Sequence, residues 1–359
     1  MVPRRLDSIP RSPPSAYSPK HLMDLRLMHQ YATVTATSIS DIFQFNSTAA
    51  DRMKVDIPRV SQEHEFLMDT ILGVAAIHLG THATPDQPSL VPVSHYRNKA
   101  LYNVRQATGS LSDQNLRALH MASMLLATTS LAADKALNYS GLWVTNWLVM
   151  ASGPRVLTES RHTSSAAASQ EDKSPAPVHA PGLAPDRMTP AVMPAGLEEL
   201  LRIDKEDDDW QHRDVLREAA NGIAELFGGL CLDPEGGILL QFKVRAWTFS
   251  LTSSHFVDLV QQKNPRALVI VAYFLALVSY MPETWLYADV AQRDMAKLVA
   301  MVQDPVWTEF LRVPRRALAI DNSVARSDFL RTQLTGQSPA TLLSNRLAVQ
   351  SWSLMAARK

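Results

Sequence analysis

A single cysteine, Cys231, stands in the whole of this sequence. That excludes a disulfide framework and every metal centre built from cysteine alone. Charge of either sign is not in surplus: 35 basic side chains meet 35 acidic ones. A broad basic face gripping a nucleic-acid backbone needs clustered excess cation, so that class of function is disfavoured. Glycine is sparse at 13 residues, and neither GxSxG nor GxxxxGKS/T occurs, which removes the commonest hydrolase and nucleotide-phosphate signatures. The longest apolar run, Ala267 to Val278 continued by Tyr280 and Met281, reaches about fifteen residues and falls short of the ~20 that span a bilayer. No run of short alternating strands with Asn-Gly or Asp-Gly turns is present. No apolar core follows the basic residues of the N-terminus, so a secretory signal is not expected.

Proline is scarce along most of the chain because 12 of its 22 prolines lie in residues 1–20 and 154–196. Both stretches read as linkers. What remains is 46% hydrophobic and 19% charged overall, the balance of a globular protein. Its periodicity is helical. His21 to Phe43 places Leu22, Leu25, Met28 and Ala32 on one face, and the β-branched patch Thr33-Val34-Thr35 inside it leaves that stretch to be settled by packing. Glu65 to Leu79 is apolar almost all round and is expected at the centre, with Gly80 as its stop. Ser94 and Ser112 cap the next two helices, and Leu137 to Met150 carries Trp143 and Trp147 on one face. Asn264-Pro265, Asp304-Pro305 and Ser338-Pro339 are helix starts, because proline at the first helical position lacks only a donor that would be unpaired there. An amphipathic stretch follows from Trp285 to Val302. The expectation is an all-α protein, a single helical domain in two packed halves. A basic Pro/Ser tail covers 1–20, a first helical half 21–157, a linker without fixed structure 158–196, a second half 197–320, and an extension with a helix 321–359.

Four constellations bear on chemistry. His78 and His82 are four apart, but Gly80 lies between them and no third ligand is apparent, so they read as a helix end and no metal site is expected. Cys231 sits between Gly228-Gly229 and Gly236-Gly237 in what reads as a loop, with no histidine nearby to activate it. The run Asp204 to Asp209 reads as a solvated charge run beside the linker. Met121, Met124, Trp143, Trp147, Trp247, Phe249, Phe256, Tyr273, Phe274 and Trp285 occupy apolar helix positions. They are core, or they leave an adaptable apolar cavity whose ligand contacts are Met121, Met124, Trp143, Trp147, Trp247, Phe256, Tyr273 and Trp285.

Several segments together resemble the regulatory domain of fungal Zn2Cys6 transcription factors of the sterol uptake control type. They are LMDLRLMHQYATVTATSI (22–39), FLMDTILGVAAIHLGTH (66–82), YRNKALYNVRQATGSLSDQNLRALHMASMLLATTSLA (96–132), LWVTNWLVMASGPRVL (142–157) and the block 266–314. The resemblance covers about 22–157 and 200–320 and implies an all-helical, ligand-sensing domain of a nuclear regulator. Its ligand would be an apolar small molecule, sterol-like or a polyketide or terpenoid, and it would reside in the cytoplasm when ligand-bound. No cofactor is implied; a homodimer or a partner transcription factor is. The zinc cluster needs six cysteines, so direct DNA binding by this chain through that route is not expected. One tryptophan, Trp285, stands where the family often shows two.

Three functional readings follow. The first is a regulator of sterol or secondary-metabolite genes. The second is a standalone cyclase or isomerase acting on a polyketide or terpenoid, for which His120, His255, Asp258 and Asp289 are the acid–base candidates. The third is an interaction scaffold with a filled core.

Overall fold

A computed structural model describes residues 18–82, 91–165, 191–248 and 253–334. The chain is all-α, and among the described residues no strand is present. One isolated antiparallel bridge joins Pro194 to Leu334. The tail 1–17, Pro85, Pro88, Phe249, the middle of the expected linker (166–190) and 335–359 with Ser338-Pro339 lie outside the described residues.

Two hydrophobic cores organise the molecule. The larger surrounds the helix Pro265–Val278, in which every residue from Arg266 to Val278 is buried. Asn264 starts it, its side chain accepting the Ala267 N–H, with Pro265 at the first turn. Helices Arg213–Leu232, Ile238–Ala246, Ser254–Gln261, Val290–Met301 and Arg312–Leu318 pack around it. Trp247 stacks on Phe274 at 4.3 Å, and Trp147 lies against the same ring at 5.9 Å. Trp147 comes from the helix Trp143–Ser165, so the larger core already draws on the first half of the chain. The smaller core surrounds the helix Glu65–Thr81 and gathers Leu27, Tyr31, Ile39, Leu67, Ile71 and Tyr96.

Several local expectations change. The first helical stretch is built as Pro19–Gln30, a π-helical segment Tyr31–Thr35 and Ala36–Phe43. The wide turn falls on the β-branched patch, where α-helical crowding is greatest. Its buried side is Leu27, Tyr31 and Thr35, while Leu22 and Leu25 are exposed. Seating the large Tyr31 ring rotates the helix and leaves that leucine pair outside. Gly80 lies inside its helix; a Cβ there would stand 2.7 Å from Val93, so this glycine permits close approach of the helix Val93–Thr108. That helix begins at Val93, not after Ser94. Ser112 does cap the helix Asp113–Thr128, in a reciprocal box with Asn115. The helix Trp143–Ser165 begins later than Leu137, runs through Pro154 and continues past residue 157 into the stretch expected to be linker. Val192 is buried at the other end of that stretch and donates its N–H to the Ala224 carbonyl at 2.9 Å.

The acidic run is not simply solvated. Arg266, buried at the helix start, donates to Asp207 at 2.5 Å and to Asp209 at 2.6 Å, and lies 4.9 Å over the Trp307 ring. Burial opposes ionisation of Asp207, but the Asp209 N–H and the guanidinium outweigh it and hold the carboxyl below its ordinary range. Gly228 and Gly229 are helical, which places Cys231 on the helix Arg213–Leu232 and not in a loop. Burial pushes its thiol up to about 11, the opposite of what a nucleophile needs.

Candidate functional site: a groove where the two cores meet

The helical stretch 31–43 and the end of the helix Glu65–Thr81 leave a groove between them of about 450 Å³. Thr33, Val34, Thr37, Ser38, Asp41 and Ile42 form one wall, and His78 and His82 the other. Thr284 and Trp285 close it from the second half of the chain. Trp285 stacks on His78 with ring centroids 4.2 Å apart and planes 18° from parallel. Its indole N–H donates to the Ser38 hydroxyl at 2.9 Å. A hydrogen bond of 2.9 Å joins Thr35 Oγ1 to His78 Nδ1, fixing that imidazole from behind. The His82 ring lies 5.2 Å from His78, so the helix does run far enough to set both imidazoles side by side.

His78 is 4% exposed. Burial, reinforced by the neighbouring His82, pushes it down to about 4, so it is neutral at pH 7. A neutral imidazole face and an indole face, edged by hydroxyls and one carboxylate, suit an apolar molecule carrying a hydrogen-bonding group. Among the described residues no three side chains are gathered to hold a metal ion. Among the described residues, Trp285 and Phe43 are the half-buried hydrophobic side chains packed against both cores, so the groove opens where those cores join.

The side chains singled out in the sequence are distributed unevenly about this site. Trp285 lines it. Trp143, Trp147, Trp247, Phe256 and Tyr273 are buried in the larger core. Met121 is half-buried against the smaller core, and Met124 is half-buried on the same helix. His120 also lies on that helix, half-buried. His255 and Asp258 are exposed on the helix Ser254–Gln261, with His255 edge-on to His212 at 5.1 Å. Asp289 is exposed and pairs with Lys135 at 2.7 Å. None of these four acid–base candidates lines the groove. No local pattern marks the groove's hydroxyls or Asp41, whereas the four-residue spacing of His78 and His82 marks part of it. A second groove of about 450 Å³ lies between Glu198, Arg202, Arg217 and Asn221 and contains none of the selected residues.

Residues 26–176 match the family described as the fungal specific transcription factor domain. A Zn(2)-C6 fungal-type transcription factor of Gibberella zeae is 26% identical over 346 residues, which cover 89% of this chain and 66% of that protein. Sterol uptake control protein 2 of Candida albicans is 33% identical over 113 residues, 31% of this chain and 15% of that protein. The chain thus spans less than two thirds of the length of either relative.

Proposed function

We propose, from the membership of residues 26–176 in the fungal specific transcription factor domain family, that this chain is the ligand-sensing regulatory part of a fungal transcription regulator. That membership implies a nuclear location. The observation that carries the sensing role is the groove at the junction of the two cores, with the neutral His78 and the stacked Trp285 as its floor. A site at a junction has leverage, because a molecule seated there contacts both bodies at once. The ligand is an apolar small molecule bearing a hydroxyl or similar group, apolar for the aromatic floor and polar for Thr37, Ser38 and Asp41. Sterols are its leading class, since one relative is a sterol uptake control protein, and the genes governed are those of sterol or secondary metabolism. With one cysteine, these residues do not form a six-cysteine zinc cluster. DNA contact by that route belongs to sequence outside these residues or to a partner factor, and self-association of this domain is part of the reading.

The test is thermal. A ligand that binds only the folded state raises the melting temperature with its concentration. Ergosterol, a bile acid and a fatty acid, titrated against the purified chain, are expected to give a saturable rise with at least one of them. The rise should be lost in Ser38→Val. Flat melting curves across all three would overturn the sensing role.

A further inference from the structure

One segment builds both the end of the groove and the bolt between the two halves. Thr284 and Trp285 stand in the groove, and the chain from there to Asp289 has no regular structure. The helix Val290–Met301 follows, and its first two turns hold the start of the helix Trp143–Ser165. Arg293 donates to the Gly141 carbonyl at 3.0 Å and to that of Tyr139, and lies 3.8 Å over the Trp143 ring. Asp294, fully buried, accepts the Val144 N–H at 2.7 Å. Lys297 donates to the Ser140 carbonyl, and Lys135 pairs with Asp289. Each of these bonds crosses from the second half to residues 135–144. At the other end, Trp285 crosses to Ser38 and His78.

We infer that residues 284–297 are a clasp whose closure depends on the indole of Trp285 occupying its place on His78, so that a ligand that lifts the indole from His78 opens it. The inference takes its natural trigger from the ligand reading above. The mechanical link stands separately. The indole covers the His78 ring and lines the groove, so a ligand seated in the groove bears on Trp285 directly. Leu286 and Tyr287 of the irregular run before Asp289 are buried in the larger core, and Trp285 is its side chain packed against both cores. Asp289 itself has φ +69°, a left-handed conformation that a residue with a Cβ keeps only while its neighbours are anchored. Release of Trp285 therefore leaves the turn that precedes Arg293 and Asp294 held from the larger core alone.

The amide of Val144 is a reporter, since the carboxylate it bonds lies across the clasp. Hydrogen exchange is followed by mass spectrometry on the whole chain, as wild type, Trp285→Gly and Trp285→Phe. In Trp285→Gly, exchange at Trp143 and Val144 is expected to rise at least tenfold while the amides of Leu268 to Leu277 keep their wild-type rates. Millimolar indole, which fills the space of the lost side chain, is expected to restore protection at Val144. Trp285→Phe, which keeps a ring but not the N–H to Ser38, is expected to raise exchange there about threefold. Wild-type protection of Val144 in both variants would overturn the clasp. So would a rise equal to that of Leu268 to Leu277 in both, since that is general unfolding. A working clasp beside flat sterol melting curves would remove the sensing role alone.

Discussion

The two cores are built from helices of similar apolar character, yet one is closed and the other opens on a groove. In Pro265–Val278 every turn is covered, and the helix entry is held by Arg266 between two aspartates. In Glu65–Thr81 burial is almost as complete, but the last turn carries the His78 imidazole, with His82 just past its end, where Pro265–Val278 carries Leu277 and Val278. Apolarity all round makes a helix central. A short polar departure at its end decides whether that centre is sealed or reaches a binding surface. The same substitution should therefore mean different things in the two places.

The largest effect is expected in the sealed core. Trp247 is fully buried against Phe274 and Phe256. Trp247→Ala should cost about 4 kcal/mol in urea unfolding, as a cavity that the packed helices cannot close. Next comes its charged anchor. Arg266→Ala leaves Asp207 and Asp209 facing each other without their cation and should cost about 3 kcal/mol. A double variant that also converts both aspartates to asparagine should regain part of that loss. At the open end the test is pH. An imidazole held below its unfolded value of 6.5, at about 4, favours the folded state above pH 6.5 and surrenders that stability as the pH falls towards 4. By pH 5 the loss attributable to His78 is about 2 kcal/mol. His78→Gln should flatten that limb of a pH series of melting curves, and an unchanged limb would mean that the indole stabilises the imidazolium. The smallest effect belongs to the exposed pair of Lys135 and Asp289. Asp289→Ala should change unfolding free energy by about 0.5 kcal/mol, measured at low salt and shrinking at high salt.

Much of the fold was legible. Asn264-Pro265 and Asp304-Pro305 start helices as their capping chemistry dictates, and the side chains of Asn264 and Asp304 accept first-turn N–H groups. What was not legible depends on partners distant in the chain. The leucine stripe of the first helix and its Leu27–Tyr31 stripe are adjacent, and only the fit of Tyr31 into the smaller core chooses between them. Gly80 reads as a stop until Val93 is placed against it. The Asp204 to Asp209 run reads as solvated until Arg266 arrives from nearly sixty residues away. The groove is harder still. Trp285 meets Ser38 across 247 residues, and no local pattern joins those two positions. Burial divides the aromatic side chains, with most of those rings in the core and Trp285 in the groove.

The carboxylate of Asp294 on the Val144 N–H also bears on synthesis. A helix usually takes its first cap from the residue just before it; here a partner for that N–H is 150 positions later. At ~5–20 residues per second, the ribosome makes Val144 about 8–30 s before Asp294. During that interval the Trp143–Ser165 helix starts with a bare amide and with its Trp147 face uncovered. A nascent chain halted between these two residues is then a target for chaperones that bind apolar surface, and one halted far enough beyond Met301 for Asp294 to clear the ribosome should be much less so.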